Sequence, residues 1–178
     1  MKRLLSTLVM ACPRPLRRFL AQRKLVQWAV ARFTGTMRTQ VVDAHGTRIV
    51  VNPVYHAQFL QQAVKDYEAN VQRALAMLCR PGSVVYDVGA NVGVLSWLAA
   101  SLVGPSGKVV AFEPEANNTE CLEETIRINS LANVTLVPKA VSSSSGTQTF
   151  DARGGAFSGR LVDHGRYGPT STCRSVET

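Results

Sequence analysis

Three short apolar runs, separated by two stretches with helical patterning, constrain the fold of this chain more than any other feature. The apolar runs are residues 84–88, 109–113 and 134–137. The stretches between them, residues 94–102 and 117–129, have the length and spacing of helices. Strands that alternate with helices form parallel sheets joined by right-handed crossovers. The sequence therefore predicts an α/β fold built around a parallel sheet.

Less regular segments flank this pattern on both sides. Residues 39–52 are typical of a β-hairpin, and residues 56–79 predict one or two helices that end at a Pro-Gly pair. Residues 147–150 predict a short strand, and residues 153–172, which are rich in Gly and Ser, predict a loop. We therefore divide the chain into a leader (1–38), a hairpin with helices (39–80) and a sheet region (81–178).

The positive charge of the chain is concentrated in the leader. Residues 1–38 hold nine of the 20 Lys and Arg side chains and none of the 12 acidic ones, so the remainder is close to neutral. A near-neutral domain does not predict a nucleic-acid surface. In the leader, apolar side chains recur near helical spacing between the basic ones, which predicts a basic amphipathic helix. Such a helix either contacts an anionic membrane surface peripherally or docks its apolar stripe on the domain.

Cysteine usage favours a reducing compartment. The four cysteines lie far apart, form no C-x-x-C pair and have no His at metal-ligand spacing. We therefore predict free thiols, no metal site and a cytoplasmic location, peripheral at a membrane if the leader binds lipid.

Two loops follow neighbouring strands at the edge of the sheet where ligands bind. The first, residues 87–93, contains Gly89 and Gly93, which permit tight turns and the close approach of a ligand. The second begins with Glu113, and an acid at the tip of a second strand can accept hydrogen bonds from ribose hydroxyls. Because the two loops face one ligand, the pair predicts an adenosine-bearing cofactor.

The first loop favours S-adenosylmethionine over NAD as that cofactor. A dinucleotide loop has the pattern G-x-G-x-x-G, whose middle glycine lets a pyrophosphate approach, but residues 89–93 read Gly-Ala-Asn-Val-Gly. Asp87 at the start of the loop would repel a pyrophosphate and suits a ligand with an amine and a sulfonium. No Gly-Lys-Ser/Thr sequence exists, which excludes a P-loop. An NAD-dependent Rossmann oxidoreductase remains the alternative.

Three motifs carry a family resemblance: Tyr86-Asp87-Val88-Gly89-Ala90-Asn91-Val92-Gly93, Phe112-Glu113-Pro114 and Ala140-Val141-Ser142. Together they resemble the FkbM-type methyltransferase family, and the resemblance covers roughly residues 40–150. It implies a class I, Rossmann-like methyltransferase fold and methyl transfer from S-adenosylmethionine, usually to a hydroxyl oxygen. The implied acceptor is a small molecule or glycan, such as a sugar or a natural product.

The same resemblance implies roles for individual residues. Those expected to line the methionine end of the cofactor are Asp87, Gly89, Ala90, Asn91 and Gly93. Glu113 would hold the ribose, and Pro114 would shape the loop beside the adenine. Asn129 is expected to cap a helix.

The resemblance further implies that part of the domain is missing. The family normally continues into another strand near the point where this chain stops, so we expect a C-terminally incomplete sheet. No catalytic residue is predicted, because His45, His56 and His164 are expected to be structural or solvated. The acceptor pocket and any base would then lie in the missing part, and the chain alone would turn over poorly. A third hypothesis is a non-catalytic membrane-surface module, anchored by the leader and built on a partial Rossmann fold.

Overall fold

The computed structural model describes residues 39–42, 47–52, 55–56, 68–151, 159–162 and 173–178, and the element labels below number the helices and strands of these residues. All of them belong to one compact unit, Arg38–Thr178. The predicted leader helix, the hairpin turn that contains His45, and His164 lie outside the described residues.

A β-hairpin precedes the parallel sheet, as predicted. Strand β1 (Thr39–Val42) pairs antiparallel with β2 (Arg48–Val51). A turn follows, in which the N–H of His56 donates to the carbonyl of Asn52 at 2.7 Å. His56 thus lies in this turn, and residues 57–67, which would continue the helix predicted to begin at His56, lie outside the described residues.

Helix α1 (Ala69–Leu78) occupies the end of the predicted helical stretch. It stops at Cys79, whose N–H donates to the carbonyl of Leu75 at 2.8 Å, just before the Pro-Gly pair. Residues 57–67 of the predicted stretch lie outside the described residues.

The predicted parallel sheet is present. Its strands, in spatial order, are β3 (Val84–Val88), β4 (Lys108–Phe112) and β5 (Val134–Val137). The crossovers are helices α2 (Val94–Val103) and α3 (Ala116–Ile128). Pairing is parallel throughout, so the carboxyl ends of the three strands meet at one edge. The structure confirms the α/β, Rossmann-like arrangement, in which β3 pairs with β4 alone among the described residues.

One face of the sheet is buried beneath the helices. Val109 packs against α2, and Ala111 packs against Leu122 of α3. The opposite face of β3 is exposed at its alternating residues, Val84, Tyr86 and Val88. Apolar surface is thus removed from water mainly on the helix-covered side. Within the stretches that the structure describes, no helix has the length and apolarity needed to cross a membrane.

The hairpin docks on α3 through apolar and polar contacts. Val50 is buried in the cluster that includes Cys121, and its N–H donates to Oγ1 of Thr125 at 3.0 Å. Asn129 is the C-cap of α3, as predicted, and its amide group donates to the carbonyl of Arg48 at 2.7 Å. The segment before the sheet is therefore fixed to the helix that follows β4.

A second, antiparallel sheet corrects the prediction for the C-terminal region. Strand β6 (Thr147–Asp151) contains the predicted short strand and lies between β7 (Arg160–Val162) and β8 (Cys173–Glu177). Strand β7 falls within residues 153–172, which were predicted to be a loop. A strand of three residues is too short to show the alternation that identifies strands in a sequence. Phe150 anchors this sheet by burial.

Candidate functional site

Left-handed backbone conformations shape the loop between β3 and α2. Gly89, Asn91 and Gly93 have φ angles of 85°, 53° and 91°. This region is costly for side chains with a Cβ and is tolerated best by Gly, then by Asn. At Gly93 a Cβ would also overlap Cδ1 of Leu122. Gly93 therefore serves close packing between the loop and α3.

The loop is hydrogen-bonded to the end of β4. The N–H groups of Gly89 and Ala90 both donate to the carbonyl oxygen of Phe112, at 2.9 and 3.0 Å. The N–H of Asn91 donates to Oε2 of Glu113 at 2.8 Å. The two loops that the sequence singled out are thus joined directly.

The remaining loop amides are bonded within the loop itself. The N–H of Val92 donates to Oδ1 of Asn91 at 2.8 Å, and the N–H of Gly93 donates to the carbonyl of Ala90 at 2.9 Å. Every backbone N–H of residues 89–93 therefore already has an acceptor in the protein.

Glu113 is the centre of the second loop. Its side chain is buried, and Oε1 accepts the N–H of Glu115 at 2.8 Å while Oε2 accepts the N–H of Asn91. The side chain of Asn118 lines the same cavity as Glu113. Burial raises the pKa of Glu113 above its usual value, and the hydrogen bonds from the N–H groups of Glu115 and Asn91, together with the polar side chain of Asn118, offset part of the rise.

Asp87 lies at the end of β3 and faces the start of α2. Its Oδ2 accepts the hydroxyl of Ser96 at 2.6 Å. Burial raises the pKa of Asp87, and hydrogen bonding with Ser96 opposes the rise. Asp87 thus links the end of β3 to the first turn of α2.

Two cavities border the loop and share Val88, Gly89 and Asn91 in their walls. The first has a volume of about 240 Å³, and its lining includes Glu113 and Pro114. The second has a volume of about 140 Å³. Its further lining residues include Glu68, Asp87 and Ala90. Six of the seven predicted site residues therefore border a cavity, whereas the seventh, Gly93, lines neither cavity and packs against Leu122.

Sequence reasoning missed several residues that line these cavities or hold the residues that do. Glu68 lines the smaller cavity, and Ser96 donates its hydroxyl to Asp87. Tyr55 and Asn118 line the larger cavity, and Nε2 of the fully buried His56 lies 2.8 Å from Oδ1 of Asn118. His56 and Asn118 lie far apart in the chain, so no local pattern signals their contact. Ser96 and Asp87 are nine positions apart, on different elements.

Metal binding has no support among the residues described. They contain no group of three or more His, Cys, Asp or Glu side chains placed to hold a metal ion. The charged residues that line the larger cavity are Glu113, Glu115, Lys139 and Arg160.

Comparison with known proteins gives structural likenesses only. No family model matches the chain, and no curated protein matches it in sequence. Among solved structures, it is similar to TYW2 of M. jannaschii in complex with AdoMet, with 21% identity, a TM-score of 0.45, and coverage of 56% of this chain and 42% of that one. It is also similar to Trm5b of Pyrococcus abyssi, with 22% identity, a TM-score of 0.44, and coverage of 57% and 28%.

A third similar structure is a SAM-dependent O-methyltransferase of Thermotoga maritima, with 20% identity, a TM-score of 0.40, and coverage of 57% of this chain and 40% of that one. This chain spans less than half the length of each of these three proteins. Likenesses of this size do not assign a cofactor or a substrate.

Proposed function

We propose that this chain carries the S-adenosylmethionine site of a methyltransferase. The observation on which the proposal depends is the loop of residues 89–93, whose five N–H groups are all bonded within the protein. A pyrophosphate is normally held by unpaired amides of a glycine-rich loop and of the helix after it. This loop offers a pyrophosphate no unpaired amide, which counts against NAD.

The charges around the loop support a cationic ligand. The smaller cavity is bordered by the carboxyl groups of Glu68 and Asp87. These groups would attract the ammonium and sulfonium of S-adenosylmethionine and would repel phosphates. The larger cavity, with Glu113 in its wall, would then receive the adenosine, whose ribose hydroxyls can donate to a carboxylate.

This arrangement would contribute to methyl transfer by positioning the cofactor. When bound, S-adenosylmethionine supplies an electrophilic methyl group. The residues of this chain would hold the cofactor at both ends, so that its methyl group meets an acceptor in a fixed direction. The resemblance to the FkbM-type family in residues 86–93 and 112–114 favours a hydroxyl of a sugar or natural product as that acceptor. The base that would accept the hydroxyl proton is not among the residues for which we propose a role.

A pair of glycine variants tests the proposal. A Cβ on Gly89 or on Gly104 would meet no atom within 4 Å, and both residues have positive φ angles, 85° and 67°. Alanine is therefore strained at both positions without a clash, but only Gly89 borders the cavities. Calorimetry on the full chain should show S-adenosylhomocysteine bound about tenfold more weakly by Gly89→Ala and unchanged by Gly104→Ala.

NAD serves as the second ligand in this experiment. The wild-type chain should bind S-adenosylhomocysteine and not NAD. Binding of NAD that Gly89→Ala weakens, or no binding of S-adenosylhomocysteine by the wild-type chain, would overturn the proposal.

A further inference from the structure

The second sheet contributes to the walls of the larger cavity, although it is not part of the parallel sheet. Phe150 of β6 lines this cavity, as do Gly159 and the β7 residues Arg160 and Leu161. Only 7% of Phe150 is exposed, so the protein surrounds most of its side chain. The second sheet therefore presents Phe150 and Leu161 to the cavity as apolar surface.

Contacts within the second sheet hold the Phe150 ring. A Cβ on Gly159 would overlap Cζ and Cε1 of Phe150, so the backbone of residue 159 can lie this close to the ring only as glycine. Phe150 and Leu161 are opposite each other in the pairing of β6 with β7, and directly opposed side chains of an antiparallel pair lie on the same face. The ring thus packs on Gly159 and shares its face of the sheet with Leu161.

The second sheet is attached to the segment that follows β5. The N–H of Ala140 donates to the carbonyl of Glu177, in β8, at 2.9 Å. Nζ of Lys139 lies 3.0 Å from Oε2 of the same glutamate. Lys139, Ala140 and Val141 also line the larger cavity. The wall of the cavity therefore continues from the end of the parallel sheet into the second sheet.

The order of the parallel strands indicates which part of the cofactor would reach this wall. That order is β3, β4, β5. In the proposed function, the methionine part lies at the loop after β3, and the ribose lies at Glu113, which follows β4. The base of a nucleoside that extends along this edge would then lie at the segment after β5, beside Phe150 and Leu161. Bases pack favourably against aromatic side chains, so this surface suits the adenine.

We propose that the second sheet supplies a wall of the adenine site, in which Phe150 contacts the base and Gly159 is a positioning residue that sets the place of the Phe150 ring. This inference rests on the proposed function, and it adds to the cofactor site a part of the molecule outside the parallel sheet. The share of the affinity that comes from the adenine then depends on these two residues.

The test compares S-adenosylhomocysteine with S-ribosylhomocysteine, which keeps the ribose and the homocysteine but lacks the adenine. Calorimetry on the full wild-type chain should show S-adenosylhomocysteine bound about tenfold more tightly. Phe150→Ala removes the ring, and Gly159→Ala displaces it by overlap. Each variant should lose most of this preference while its affinity for S-ribosylhomocysteine stays unchanged.

Gln148→Ala supplies the control, because Gln148 is also in β6 but lines neither cavity. Its amino group donates to the hydroxyl groups of Ser142 and Ser144, at 2.9 and 3.3 Å, so its replacement disturbs the second sheet and leaves the wall intact. The preference for the adenine-bearing ligand should persist in this variant. Its loss there would show that general loosening of the sheet is being measured, and would overturn the inference.

The outcomes separate this inference from the proposed function. If the wild-type chain binds S-adenosylhomocysteine and Phe150→Ala keeps the full preference, the inference is overturned and the function stands. If the wild-type chain does not bind S-adenosylhomocysteine, both fall. A measurement on the unaltered chain guards against variants that do not fold: NMR of the complex should show nuclear Overhauser effects between the adenine protons and the Phe150 ring. Effects from the adenine to other residues but not to Phe150 would overturn the inference.

Discussion

The side chain of Leu122 lies against the Cα of Gly93 so closely that no Cβ fits between them. Leu122 is fully buried and belongs to the cluster that also contains Ala90 and Ala111. The loop, the sheet and α3 are thus packed together at Leu122.

Gly93→Ala is expected to destabilise the chain by about 2–4 kcal/mol, because overpacking against Leu122 adds to the strain of a positive φ. Gly104→Ala has no overlap, but its φ of 67° and ψ of −174° lie in a region essentially restricted to glycine, so it should cost about 1–3 kcal/mol from backbone strain alone. Urea denaturation measures both. The double variant Gly93→Ala/Leu122→Ala should lose less stability than the two single losses combined, and strict additivity would contradict the packing described here.

Two substitutions of Asn91 test the left-handed backbone conformation in the middle of the loop. Replacement by Ala or by Gly removes the same hydrogen bond to the N–H of Val92, but only Ala is strained at a φ of 53°. Asn91→Gly should therefore be more stable than Asn91→Ala by about 1–2 kcal/mol in chemical denaturation. Equal stability of the two variants would show that the loop relaxes away from this conformation.

Two substitutions of Thr125 test the docking of the hairpin on α3. Thr125→Val keeps the shape but leaves the buried N–H of Val50 without its hydroxyl acceptor, which should cost about 1–3 kcal/mol. Thr125→Ser keeps the hydroxyl and should retain most of the stability. Hydrogen exchange at Val50 should accelerate in Thr125→Val, whereas unchanged protection would argue against this contact.

Asp87 should make the stability of the chain depend on pH in a defined direction. Its pKa is raised in the folded state by burial, so its contribution is fully present below the usual value of about 4 and is lost as the pH rises through the raised value. The stability of wild type relative to Asp87→Asn should therefore fall with rising pH across that interval and stay constant above it. Ser96→Ala removes an opposing hydrogen bond and should extend the interval upward. A difference that increases with pH would contradict the burial of this carboxyl group.

The parallel sheet could be predicted from the sequence because its signals are local. The apolar residues of β3, β4 and β5 stand in short runs between helices, and the glycine-bearing loop follows the first run directly. Strand β7 gave no such signal, since three residues in a region rich in Gly and Ser carry no periodicity.

The geometry of the site was predictable only in outline. Glu113 was expected near the loop, and the structure places its carboxylate within hydrogen-bonding distance of Asn91. The contact of His56 with Asn118 depends on how the hairpin packs on α3, and residue spacing does not encode that packing. Whether the predicted residues contact S-adenosylmethionine stays a prediction, which the ligand experiments address.

The closed hydrogen-bond network of residues 89–93 also has a consequence for how tightly a ligand can bind. A mobile loop must be ordered when its ligand arrives, and the entropy lost in that step is subtracted from the affinity. Here the loop is held by β4 and by its own side chains as soon as the chain folds. The heat-capacity change on binding should therefore reflect only the surface that the ligand covers, with no added contribution from ordering of the loop.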